Sequence, residues 1–333
     1  MKRLLLILLL FLFLGGCTDY NEVNNLTIVD MIGIEKQEDT YHLYLSVVTG
    51  EKEENQTENK HTVYHVTGKS LGEAFQEGET INNKRTYYNH LAMVFIHSSL
   101  LENREEYQEL FSFLKKKLEQ GDYLLLEGTS PLASFFELYP NHEDLENFIL
   151  KEKETKGTTT LLTFDEVNAN DFDQEYDAYL PSIQLEENTL KTNGITLLGS
   201  NMHYDDTSSR ISYLLSNKIK EYSFLIPIEE KYYQIKISDL HVNLDYQENT
   251  FKITIKGQLE SEELPKEKRK EVQEETEKNL TKEIKQFIEM EQEQNISTTP
   301  LKNLLYFKTK KTEAYQKSKT NITLSFAWKG DLS

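Results

Sequence analysis

Apolar positions along the chain recur with two periods, and the switches between them mark out its elements. Residues 26–34 (LTIVDMIGI) and 41–49 (YHLYLSVVT) are rich in β-branched and aromatic side chains, with a polar break between them. They predict two strands joined by a hairpin-like turn. In the second, Tyr41, Leu43, Leu45 and Val47 share one face, as a half-buried strand requires. EKEENQTENK (51–60) is almost wholly charged or amide and predicts an exposed loop, and HTVYHVT (61–67) a further strand. At Ser70 the period changes. Ser70 and Glu73 form a capping box, and Leu71, Ala74, Phe75, Gly78 and Ile81 then fall on one helical face. LAMVFIH (91–97) predicts a buried strand. Tyr107, Leu110, Phe111, Leu114 and Leu118 align on an amphipathic helix, and DYLLLEG (122–128) predicts a strand returning beside the last.

Residues 131–186 predict mostly short helices, with apolar positions such as Phe135, Leu145, Phe148 and Ile149, ending at the extended stretch LPSIQLEEN. After that polar patch, GITLLGSNMHYD (194–205) and residues 222–259 predict repeated short strands. A long charged helix over roughly 265–292 buries only Val272, Leu280, Ile284, Phe287 and Ile288. In the last element, TNITLSFAWKG, the residues Ile322, Leu324, Phe326 and Trp328 lie on one face. The whole reads as an α+β protein with mixed and antiparallel sheets and packed helices. The change of pattern near residue 190 divides it into an N-terminal domain, 17–190, and a C-terminal domain, 191–333.

Residues 1–16 stand apart. Lys2 and Arg3 form a basic start, Leu4 to Leu14 an unbroken apolar run, and Gly15 and Gly16 precede Cys17. Eleven helical residues at ~1.5 Å each reach about 16 Å, well short of roughly 30 Å of bilayer hydrocarbon. The run therefore predicts a signal segment, not a permanent span. Leu14-Gly15-Gly16-Cys17 resembles a bacterial lipobox, in which the thiol takes a diacylglyceryl thioether and cleavage makes Cys17 the new N-terminus. Two acyl chains hold a protein on a membrane stably, at about 0.8 kcal/mol per buried methylene.

Composition narrows the function classes. Cys17 is the only cysteine in 333 residues, which leaves no disulfide framework and no thiolate metal site. The net charge of −19 disfavours nucleic acid and repels anionic headgroups, so an anchor at Cys17 has to supply most of the membrane attachment. His61 and His65 in HTVYH share the spacing of a zinc motif, but Thr62 stands at the Glu position. In a strand the two rings would lie ~13 Å apart. In DEVNANDFDQEYD (165–177), calcium positions 1, 3 and 5 at Asp171, Asp173 and Glu175 put Tyr176 where Gly is needed and Ser182 where the bidentate Glu belongs. That stretch reads as a solvated acidic turn. Gly68 to Gly72 (GKSLG) carries the letters G-x-S-x-G, but its serine is the Ser70 of the capping box, and phosphate-binding Gly loops are absent. The sequence marks out no catalytic residue, no metal ligand and no cofactor other than the lipid on Cys17. Two surface features remain as candidate partner contacts. One is Arg85, Tyr87 and His90; the other is Lys308, Lys310 and Lys311 in KTKKTEAYQKSK, a basic run in an acidic chain.

Three blocks in order resemble the spore germination lipoproteins of the Ger(x)C family. In GCTDYNEVNNLTIVDMIGIEK the matching residues are Cys17, Asp19, Glu22, Val23, Asn24, Ile28, Gly33 and Ile34. In VTGKSLGEAFQEGETINNKRTYYNHLAMVFI they are Thr67 to Lys69, Glu73 to Phe75, Arg85, Tyr87 and His90. NGITLLGSNMHYDDTSSRISYLLSN is similar to the family's hairpin and helix. Thr18 replaces the family's usual Trp, Glu35 stands where Asp is commoner, and residues 300–320 are shortened. The resemblance implies the C subunit of a nutrient germinant receptor, lipid-anchored on the outer face of the spore inner membrane. It would act there beside an integral A subunit and a transporter-like B subunit. It also implies no enzymatic activity, and compact domains in an extended arrangement with the C-terminal half dividing again. The alternative is a solute-binding lipoprotein of a transporter, which would need a two-lobed fold with a deep cleft.

Overall fold

The computed structural model describes residues 26–49, 60–81, 84–118, 121–172, 177–229 and 231–330. Residues 1–16, expected to be a signal segment, and Cys17 lie outside them. Two sheets organise the described chain. The first contains β1 (Leu26–Gln37), β2 (Thr40–Thr49), β3 (Lys60–Gly68), β4 (Arg85–Tyr87), β5 (Met93–His97), β6 (Leu124–Gly128), β7 (Tyr179–Glu186), β8 (Thr189–Leu197) and β9 (His203–Tyr204). Its order is β3-β2-β1-β5-β6-β7-β8-β9, with β4 beside the start of β1. The middle of the sheet is parallel (β1, β5, β6, β7) and both margins are antiparallel.

Helices cover both faces of this sheet, because its strands carry apolar side chains on both sides. Along β1 and β5, Ile32, Ile34, Val94 and Ile96 face one layer, while Met31, Met93 and Phe95 face the other. The first layer is closed by α1 (Leu71–Gly78), α2 (Arg104–Leu118) and α5 (Phe164–Phe172), the second by α3 (Leu132–Leu138) and α4 (His142–Lys156). Helix α1 starts where the capping box predicts. Ser70 Oγ accepts the Glu73 N–H, and the Glu73 carboxylate reaches back to the Lys69 N–H at 2.7 Å. Gly33 is needed for close approach, since a Cβ there would lie 2.5 Å from the Phe136 ring. Glu35, buried on the same face, accepts the Leu132 N–H at the start of α3.

After β9, α6 (Asp206–Leu215) leads to the second sheet: β10 (Tyr222–Ile228), β11 (Lys231–Gln247), β12 (Thr250–Glu260) and β13 (Lys319–Trp328), in that order. The first three run antiparallel. Strand β13 lies parallel to β12, which requires a crossover. The long helix α7 (Arg269–Gln294) and α8 (Leu301–Thr309) supply it. Helix α7 buries the five apolar residues expected of it, and Thr276, Glu291 and Gln292 besides.

Two expectations change. Residues 222–259 form long strands, with β11 running for 17 residues, because a bulge at Asp239–Leu240 opposite Gly257 lets one strand bend without breaking. Residue 190 lies inside β8, hydrogen-bonded across a hairpin to β7. The polar patch before it is a two-residue turn, Glu187-Asn188, with both φ angles positive. Sheet membership changes later, between Tyr204 and Tyr222.

The two sheets share one apolar cluster, which runs from Val29 to Trp328. Gly157, at φ +65, ends α4 where a Cβ would lie 2.9 Å from Ile219 and 3.1 Å from Tyr222. Arg210 of α6 meets Glu283 of α7 at 3.2 Å and lies over the Tyr222 ring.

Candidate functional site

Strand β4 places the first candidate group. Its three residues pair with Leu26, Thr27 and Ile28, the first described residues after Cys17. Thr86 points inward and donates to the Gly78 carbonyl, which leaves Arg85 exposed and Tyr87 half-buried on either side. His90 is exposed in the following turn, with its ring edge-on to Tyr87 at 5.7 Å. The fold therefore brings Arg85, Tyr87 and His90 together, beside the point where the chain enters from its N-terminal segment.

The lysines sit elsewhere, on the second sheet. Residues 306–311 (YFKTKK) are exposed without interruption where α8 ends. Lys308 pairs with Asp245 of β11 at 3.3 Å. Lys310 lies over the rings of Tyr306 and Phe307, 5.4 and 5.5 Å from their centroids. The two candidate groups thus form two separate surfaces.

HTVYH lies in β3, as predicted, and its histidines have different partners. His61 Nε2 is 2.8 Å from Asp30 Oδ2, and His142 Nδ1 reaches the same oxygen at 2.9 Å. That hydrogen bond raises the His142 pKa above its ordinary value. Asp30 is the extra residue of a bulge in β1, which aims its carboxylate toward α4. His65 instead stacks on Tyr44 and lies 3.0 Å from His42; burial lowers its pKa. Among the described residues no group of His, Cys, Asp and Glu is arranged to hold a metal ion. For the calcium reading, Asp173 and Glu175 fall outside the described residues. Ser182 is a buried β7 residue that accepts from the Asn193 amide.

One titratable cluster escaped the sequence reading. Glu291 is fully buried near the end of α7. One carboxylate oxygen accepts the N–H and hydroxyl of Thr298 at 2.6 and 2.7 Å, and the other accepts the Thr299 and Tyr315 hydroxyls. Burial pushes its pKa up to about 7, against these four hydrogen bonds. The signal was in the heptad-like spacing, since Glu291 follows Phe287 and Ile288 on the same stripe. The cluster ties elements together. Thr298 also meets Ser212 of α6 at 2.8 Å, and Asp177 accepts the Ser297 N–H. Among the described residues, a groove of about 470 Å³ lies between β10 and α7, lined by Arg210, Leu225 and Glu283. Among the described residues no helix is long and apolar enough to cross a membrane.

The family model described as the spore germination protein N-terminal domain matches residues 19–185. It spans the first sheet from before β1 into the end of β7. The chain belongs to the spore germination proteins of the Ger(x)C family. The crystal structure of the GerBC protein is similar over 90% of this chain and 97% of its own, with a TM-score of 0.57 and 14% identity. At that identity the likeness speaks for the fold, α+β as the sequence predicts. A search of curated proteins finds no match. Of the family's blocks, the third explains itself structurally. Asp206 accepts the Gly194 N–H and the Thr192 hydroxyl, and Asp205 caps α6 through the Ser208 N–H.

Proposed function

We propose that this Ger(x)C protein is the C subunit of a nutrient germinant receptor, anchored through a lipid on Cys17 to the outer face of the spore inner membrane. It would act beside integral A and B subunits by binding, without chemistry of its own. One observation carries the reading: the matched germination domain begins at residue 19, two residues behind the lipobox cysteine. A body tethered there is confined to two dimensions, which raises its effective concentration toward membrane partners by orders of magnitude relative to a free protein. Arg85, Tyr87 and His90, next to β1's first residues, are the partner contacts nearest that tether. The solute-binding alternative needs an open cleft between lobes, whereas apolar side chains of both sheets fill the interface.

The test is Cys17→Ala in the full chain, with spore membranes fractionated and germination followed by loss of refractility. The expected result is loss of membrane retention together with the nutrient response. A full response from a soluble Cys17→Ala protein overturns the anchored-subunit reading.

A further inference from the structure

We propose that the end of α8 is a second membrane contact, in which Tyr306 and Phe307 enter the headgroup region of an anionic bilayer and Lys310 and Lys311 meet its phosphates. The inference rests on the anchored-subunit reading, and adds an orientation to it.

The patch is built, not incidental. Leu301 and Leu305 fix the inner face of α8 in the core, so the outer face cannot turn inward. Lys310 adopts the left-handed conformation at φ 59 and its N–H returns to the Tyr306 carbonyl, which ends the helix at a defined point. The Thr309 hydroxyl donates to the Leu305 carbonyl and accepts the Lys311 N–H, tightening the same turn. Phe307 is left 67% exposed beside Tyr306 at 38%, and Asp245 braces Lys308 against β11. Single exposed apolar residues are ordinary on protein surfaces. Two adjacent aromatic rings with a lysine over both, on a capped end and flanked by further lysines, form an amphipathic tip of the kind that sits at a bilayer surface.

Charge and tether length select the occupant. The chain carries −19 overall, so anionic headgroups repel most of its surface and attract this part. An attachment at Cys17 leaves the body free to tilt, and a local patch of opposite sign picks out one tilt. Eight residues separate Cys17 from Leu26, and at about 3.4 Å each they keep the start of β1 within about 30 Å of the lipid. An acidic protein surface would satisfy the lysines but gains nothing from an exposed Phe beside them.

The experiment places an indole in the tip with Phe307→Trp, in the full chain, and mixes it with vesicles of phosphatidylglycerol and phosphatidylcholine carrying brominated acyl chains. Flotation of the chain is recorded on the same samples. Because residue 307 is exposed, folding is unaffected. The emission added by the substitution should shift to the blue and be quenched at least twofold, and Lys310→Glu with Lys311→Glu in that background should halve the quenching or more. An indole that stays in water on a chain that floats overturns this contact and leaves the anchor reading intact. A chain that does not float counts against both. Emission that ignores vesicles but responds to polyglutamate assigns the tip to an acidic protein surface and also overturns the proposal.

Discussion

Glu291 concentrates at one residue the conflict between burial and charge. Desolvation favours its neutral form, while four donors from Thr298, Thr299 and Tyr315 favour the carboxylate, and the balance leaves its pKa at about 7 instead of 4.5. A carboxyl whose pKa is higher in the folded than in the unfolded chain stabilises the fold in its protonated form. The contribution is therefore complete below about pH 4.5 and is lost as the pH rises to about 7. Its size is on the order of 3 kcal/mol. Glu291→Gln keeps an acceptor for Thr298 and removes the titration, so urea unfolding from pH 5 to pH 8 should lose much of its pH dependence. An unchanged slope in that range would show that another group sets it. The residue was on view in the sequence, on the stripe of Phe287 and Ile288. Its role was not, because the partners that surround it lie 7 to 24 residues away.

At the scale of elements, local periodicity and capping were legible. The Ser70 cap, the apolar face of α2 and the alternation in β2 all fold as their residues predict, since each depends on neighbours within a few positions. Bulges and turns were harder to read. Glu187-Asn188 and Glu248-Asn249 both close hairpins with positive φ, yet in sequence they are merely polar pairs. A polar pair marks a surface turn and a domain boundary equally well, which is why the division near residue 190 fell inside a hairpin. The crossing of β8 and β9 depends on Gly194, which has φ +75 and would put a Cβ 1.8 Å from the Tyr204 carbonyl oxygen. Backbone cannot yield as a side chain can. Gly194→Ala should destabilise the protein by at least about 2 kcal/mol, and a shift of the denaturation midpoint of the purified variant measures it. A midpoint at the parent value would mean that β9 shifts freely.

The whole molecule is held by what lies between the sheets. Ile219 and Tyr222 against Gly157, Arg210 against Glu283, and Ser212 against Thr298 join elements of both sheets around one apolar cluster. Calorimetry of the intact chain should accordingly show a single cooperative transition. Two well-separated transitions would indicate that the sheets unfold independently. The sequence by itself determined the α+β class, most strands and helices, and the family blocks, because these are written in short-range periods and contiguous motifs. Only the tertiary structure decided that Arg85, Tyr87 and His90 adjoin the N-terminal entry, that YFKTKK is an exposed tip at the capped end of α8, and that Glu291 is buried among hydroxyls. Each of these depends on contacts between residues distant in the chain, and such contacts follow from how the sheets and helices pack.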